Sequence, residues 1–183
     1  MVYTKKTEVK VLEVKEISQA VIGRLPRYFR YLGELKDESL YREIGKILGL
    51  DKQHNFVIIG AGNLGRALGN YMNFERRGFI FKGMFDANPE LVGKDVRGVK
   101  VMPMDQLESF IRENDIDIAV LTIPKTSAVE VADKLVANGI RAIWNFAHVD
   151  LNVPEGIQVE NVHLSDSLMK LSYNINRYSS DMK

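Results

Sequence analysis

Cysteine is absent from the 183 residues, which excludes disulfides, thiolate nucleophiles and cysteine zinc sites without fixing a compartment. Histidine is scarce, at three residues. Neither these nor the serines and carboxylates show the pattern of a catalytic triad or a metal-ligand pair. Net charge is close to absent, with 25 Lys and Arg against 24 Asp and Glu. The whole chain therefore exerts no pull on nucleic acid, and any DNA contact has to come from a local patch. No apolar run approaches membrane-spanning length. Met1 to Glu16 lacks the apolar stretch of a signal peptide, since Lys and Glu interrupt every apolar pair; a cytoplasmic protein is expected. Repeats and low-complexity segments are also missing. What is present is a 45% apolar share, enough core for one medium domain or a compact domain with a short appendage.

The chain is organised around Phe56-Val-Ile-Ile-Gly-Ala-Gly-Asn-Leu-Gly-Arg66. An apolar run, Phe56 to Ile59, enters the loop Gly60, Ala61, Gly62, Asn63, Leu64, Gly65, and a helical run from Leu64 to about Phe74 leaves it. Each glycine of this G-x-G-x-x-G answers a steric demand. Gly60 allows the tight turn, Gly62 lets a pyrophosphate approach the backbone, and Gly65 lets the helix pack on the sheet. The helix start then offers free N–H groups and partial positive charge to phosphate. A second apolar run, Phe79 to Phe85, ends at Asp86, 21 residues after Gly65, the spacing of an acid placed for a ribose 2′-OH.

Around this motif the order of elements is regular. Met1 to Glu16 alternates weakly, as a tail or an edge strand. Ile17 to Leu35 carries Ile17, Ala20, Val21, Leu25, Tyr28, Leu32 and Leu35 on one helical face, with a kink or restart at Pro26. Its other face carries Arg24, Arg27 and Arg30 with Tyr31, readable as a solvated stripe or as phosphate contacts to DNA. Asp37 to Leu50 reads as a helix capped by Asp37 and stopped by Gly49. Beyond Asp86 come a short strand (Val96 to Met102), a helix (Met104 to Glu113) and a core strand (Ile116 to Ile123). A helix (Ser127 to Ala137), strands Ile140 to Phe146 and Ile157 to Val162, and a final amphipathic helix (Ser165 to about Tyr173) complete the chain. Alternating strands and helices mean a doubly wound parallel α/β sheet of Rossmann type. Its ligand crevice is expected beyond the strands' C-terminal ends, where the strand order reverses. That rule gathers Gly60 to Gly65, Asp86, Thr122 to Pro124, and Asn145 to His148 on one rim.

Asp86 selects the cofactor. Its carboxylate accepts ribose hydroxyls and repels a 2′-phosphate, and neither Ala87 nor Asn88 supplies the arginine usual for NADP, so NAD(H) is expected. The same Asp can also start the Asn88-Pro89 turn. For an enzyme, an acid or base should stand by the nicotinamide. His54 reads as a surface residue of the linker. His148 follows the fourth strand, but only Asp150 is near enough in sequence to orient it. No catalytic residue and no metal ligand is assigned. A sensor or binding module fits better than an NAD-dependent oxidoreductase, which stays as an alternative beside a Rossmann CoA-binding module.

At this point several stretches resemble the redox-sensing transcriptional repressors of the Rex family. They are Ile17 to Leu32, Tyr41 to Leu50, Val57 to Gly65, Phe85-Asp86, Leu121-Thr-Ile-Pro124, Asn145-Phe-Ala147, Leu151 to Gly156 and Leu168 to Tyr173. The resemblance implies a homodimer that senses the NADH/NAD balance and releases operator DNA when NADH binds. It also implies a C-terminal helix exchanged between protomers, and a role for Tyr71 beside the nicotinamide. With it, Thr122, Pro124 and Asn145 join the glycine loop, Tyr71 and Asp86 as expected NAD(H) contacts. The domains implied are a truncated winged-helix segment (1–50), an NAD(H)-binding domain (51–163) and a dimerisation helix with its tail (164–183). The departures are specific. Only Lys36-Asp-Glu-Ser39 stands where such a repressor has its recognition helix and wing. His163 replaces an Asp that in relatives pairs with an arginine matching Arg30, and His148 replaces a proline.

Overall fold

Four consecutive residues, Phe56 to Ile59, are 4% exposed or less, as expected of a strand covered on both faces. The computed structural model describes residues 18–35 and 38–180. The expected features at Met1 to Ile17, and the Asp37 cap, lie outside the described residues. The chain divides into two compact units, Met1–Lys52 and Gln53–Lys183.

The first unit contains α1 (Gln19–Ile22), α2 (Leu25–Leu35) and α3 (Glu38–Ile47). The interruption expected at Pro26 is a restart. Gly23 and Arg24 separate α1 from α2, and Pro26 sits in the first turn of α2, where its missing N–H costs nothing. The buried face differs from the one expected: Ala20, Val21 and Tyr28 are exposed. Leu25 and Phe29 pack with Ile44 of α3 against Leu32, Ile47, Leu48 and Leu50, whereas Tyr28 is 50% exposed. Phe29 takes the inward position because its ring stacks on Tyr41 of α3, centroids 4.1 Å apart.

The second unit is one seven-stranded sheet. In chain order its elements are β1 (His54–Ile59), α4 (Asn63–Gly69), β2 (Phe79–Asp86), β3 (Asp95–Val96), β4 (Val99–Pro103), α5 (Leu107–Glu113), β5 (Ile118–Leu121), α6 (Lys125–Ala137), β6 (Ala142–Asn145), β7 (Gln158–Asn161) and α7 (Leu164–Ser180). The strand order is β3-β4-β2-β1-β5-β6-β7. All neighbours pair in parallel except β3 and β4. The single strand expected at Val96 to Met102 is thus the second half of a hairpin. Its two-residue turn, Arg97 and Gly98, has positive φ at both positions, the geometry that matches strand twist. The helix expected to reach Phe74 stops at Gly69, where the side chain of Asn70 donates to the Arg66 carbonyl at 2.9 Å.

One face of the sheet is closed by α5 and α6, which bury Leu107, Ile111, Ala132 and Leu135 on Val57, Ile59, Phe85 and Leu121. On the other face Phe56, Ile58, Met84 and Val120 meet Leu68 of α4, Phe74 and Trp144. The link from β6 to β7 contains no helix. A cavity of about 420 Å³ therefore remains on this face, lined by Phe56, Phe74, Ile118, Val120, Trp144 and Val159. α7 runs to Ser180, well past the expected end. Its Leu164, Leu168, Met169, Leu171, Tyr173 and Ile175 are 57–66% exposed, so the side chains expected to be buried are open to solvent among the described residues.

Candidate functional site

β1 and β5 are adjacent, while the chain passes from β1 outward to β2 and later returns. This is the reversal at which an open α/β sheet leaves a crevice beyond its C-terminal edge. Gly60 leaves β1 with φ of 105°, donates its N–H to Phe85 O at 2.8 Å, and is pressed against β5. A Cβ there would sit 2.7 Å from Thr122 O. Thr122 locks the corner: its hydroxyl donates to Ile59 O at 3.0 Å and Gly60 O at 2.9 Å. Gly65 is packed more tightly still, because a Cβ would penetrate the Gly60 carbonyl oxygen. Gly62 is the opposite case. A Cβ there would meet nothing within 4 Å, so its outer side is open space. The first helical bond of α4 is Arg66 N–H to Gly62 O, 3.0 Å. The amides of Asn63, Leu64 and Gly65 precede it and have no intrahelical acceptor. An open backbone cradle edged by N–H groups fits a phosphate.

Asp86 closes the neck of this loop. One carboxylate oxygen accepts the Ala61 N–H at 2.5 Å and the other the Asn88 N–H at 2.7 Å. The turn-starting role is therefore real, and the carboxylate also braces the glycine loop. Each oxygen retains a second lone pair, so ribose hydroxyls can still be accepted. Pro124 lies exposed on the rim and immediately precedes α6.

Asn145 is placed below the rim. It is 1% exposed. Its amide donates to Val149 O at 2.9 Å and Asn161 Oδ1 at 2.8 Å, and its oxygen accepts the Ala147 N–H at 3.0 Å. It shapes the loop after β6 and ties β6 to β7. Tyr71 is not brought to the glycine loop. It follows the far end of α4, roughly 10 Å along the helix axis, with its ring edge-on to Phe74 at 4.8 Å. Arg24, Arg27 and Arg30 belong to the first unit and are exposed, the Arg27 guanidinium lying 5.9 Å from the Tyr31 ring centre.

The histidines need two revisions. His54 is not a surface residue of a linker. It opens β1 half-buried, 3.6 Å from an Asp117 carboxylate oxygen and against Phe79. His148 has a partner other than Asp150, since its Nδ1 lies 3.3 Å from Nδ1 of His163. Nothing in the sequence announces that contact, because it depends on β6 and β7 being neighbours. Displaced protonation is seen further along α6, where the hydrogen bond between Lys134 and Glu130 lowers the Glu130 carboxyl and raises the Lys134 ammonium. Both groups face solvent.

With this geometry in place, likeness to known proteins becomes informative. A protein-family model described as a CoA binding domain matches residues 51–149. The redox-sensing transcriptional repressor Rex of Clostridioides difficile (strain 630) is 45% identical, over 87% of this chain and 95% of its own length. Rex of Thermoanaerobacter pseudethanolicus is 45% identical, over 88% and 90%. The crystal structure of RSP in complex with β-NADH covers 91% of this chain and 99% of its own at 45% identity, TM-score 0.87. RSP in complex with β-NAD+ and operator DNA matches at 44% identity, over 91% of this chain and 95% of its own, with a TM-score of 0.83. The two Rex alignments extend over 200 and 202 residues, more than the 183 of this chain, while taking in less than nine-tenths of it. They therefore cross gaps where the relatives have residues that this chain does not. On identity and coverage together, the chain belongs to the Rex family of redox-sensing transcriptional repressors.

Proposed function

We propose that this chain is a redox-sensing regulator that binds NADH and NAD+ at the crevice and couples their balance to transcription. The observation that carries the reading is the open amide cradle at Gly62, closed at its neck by Asp86. Gly60, Ala61, Gly62, Asn63, Leu64 and Gly65 hold the pyrophosphate through backbone N–H groups. Asp86 takes the ribose hydroxyls. Thr122 and Pro124 flank the nucleotide, Asn145 fixes the floor of the crevice, and Tyr71 answers the nicotinamide's redox state. The reading is supported by RSP, solved with β-NADH and with β-NAD+. The nicotinamide is bound and not transformed, in a cytoplasmic protein; among the described residues no helix is long and apolar enough to cross a membrane.

Calorimetric titration tests the cofactor. A 2′-phosphate would face the Asp86 carboxylate in a partly dry crevice, so NADH should bind at least about tenfold more tightly than NADPH, roughly 1.4 kcal/mol. Equal affinities would remove Asp86 from the ribose. The CoA-binding family match favours a second reading of the same crevice. It wins if CoA binds and NADH does not.

The regulator acts as a homodimer. α7 offers six large apolar side chains to solvent, and the sheet face near Trp144 and Val159 offers an apolar trough. A second copy's α7 supplies what the trough lacks. Operator reading is a separate matter. α2 ends at Leu35 and α3 begins at Glu38, and the two residues between them are too few for a recognition helix. Arg24, Arg27 and Arg30 remain as phosphate contacts, which position a protein on DNA without reading bases.

A further inference from the structure

We propose that His148 and His163 form a proton-dependent latch that holds the base of α7 to the loop after β6 and opens when both rings are protonated. The two Nδ1 atoms are 3.3 Å apart, the ring centres 5.5 Å apart, and the planes 14° from parallel. A ring nitrogen lies about one bond length from its ring centre. The nitrogen gap and the two ring radii together therefore span almost the whole distance between centres. The rings meet edge to edge, each Nδ1 aimed at the other. A shared metal ion would need the nitrogens to converge on it at an angle, and among the described residues no third His, Cys, Asp or Glu joins them. The arrangement is that of one N–H donating to one nitrogen lone pair.

Such a contact counts protons. With both rings neutral, one carries its hydrogen on Nδ1 and the other on Nε2. One further proton leaves the contact in place and makes it charge-assisted. A second proton sets two N–H groups and two like charges against each other, and the contact is lost. Acidification supplies the second proton, so the latch opens as the pH falls.

Its position gives the opening a consequence. His148 sits in the loop that Asn145 fixes through Ala147 and Val149. His163 immediately precedes Leu164, the first residue of α7. The charged groups of the surrounding segments are Asp150 and Glu155 in the loop, Glu160 on β7, and Asp166 and Lys170 on α7. Among the described residues, the salt bridges involve none of them with either ring. The two rings therefore have each other as partners.

The test uses the full chain labelled with ¹⁵N-histidine, without nucleotide. At pH 7.5 the nitrogen shifts should place one of His148 and His163 in the Nδ1–H tautomer and the other in the Nε2–H tautomer, and His148→Asn or His163→Asn should abolish that asymmetry. On lowering the pH to 5, the amides of Val149 and Leu164 should shift together in the wild type, whereas in either variant only the amide beside the remaining histidine should respond. Two identical tautomers at pH 7.5, or amides that ignore the acid titration, would overturn the latch. Any influence on NADH response rests on the function proposed above. Because the latch is measured without nucleotide, its failure and the failure of that function are told apart.

Discussion

Replacing Gly65 by alanine is expected to cost the second unit about 3 kcal/mol or more and to abolish NADH binding. The methyl group would enter the Gly60 carbonyl oxygen and come within 2.8 Å of Thr122 Oγ1. Neither neighbour is a flexible chain end that can swing away. The Gly60 carbonyl is backbone, and the Thr122 hydroxyl is committed to Ile59 O and Gly60 O. The start of α4 would have to lift from the sheet, taking the cradle with it. Gly62→Ala is the control, and it should behave differently. Its φ of −67° suits alanine and its Cβ meets nothing, so thermal unfolding should be unchanged while NADH affinity falls, because the methyl occupies phosphate space. Thermal melts and calorimetry of both variants decide it. A stable Gly65→Ala protein, or a Gly62→Ala protein that binds NADH normally, contradicts the assignment.

Removing α7 should convert the protein from dimer to monomer. Burial of a large apolar side chain contributes about 1.5–3 kcal/mol, and α7 holds six of them on its exposed surface. Most of a helix's stability in a protein comes from packing its apolar face rather than from propensity. A chain ending at Val162 is therefore expected to scatter light as a monomer, with the trough beside Trp144 and Val159 left open and solubility reduced. A dimer of unchanged affinity would assign the interface to another surface.

The features legible in the sequence were those written locally or dictated by topology. The close packing at Gly60 and Gly65 was legible because both steric demands fall within six consecutive residues. The reversal of strand order between β1 and β5 was legible because strand–helix alternation and right-handed crossovers leave little choice of sheet order. Other features depend on neighbours that are distant in sequence. Tyr28 and Phe29 both satisfy helical spacing from Leu25 or Leu32, and only the stack on Tyr41 puts Phe29 inside. The β3–β4 hairpin had a usable signal in Gly98, a turn residue inside an apolar run, that was read as part of a strand. The end of α4 at Gly69 lies inside a periodic run that continues to Phe74, so periodicity overran it. Asn145 carried no sign that its amide is used up by Val149, Asn161 and Ala147. The contact of His148 with His163 needed the pairing of β6 with β7.

We propose that the chain keeps the NAD(H)-sensing module of its family and lacks the operator-reading one. A mobility-shift titration at physiological salt tests it, using a Rex-type palindrome against a scrambled duplex, with and without NADH. Base readout requires side chains carried into the major groove by a helix or ribbon, and the two residues between Leu35 and Glu38 are too few for either. Phosphate contacts from Arg24, Arg27 and Arg30 should give only weak binding, about 10⁻⁴–10⁻⁶ M, equal on both duplexes and steeply salt-dependent. Nanomolar binding to the palindrome alone, released by NADH, would contradict the account.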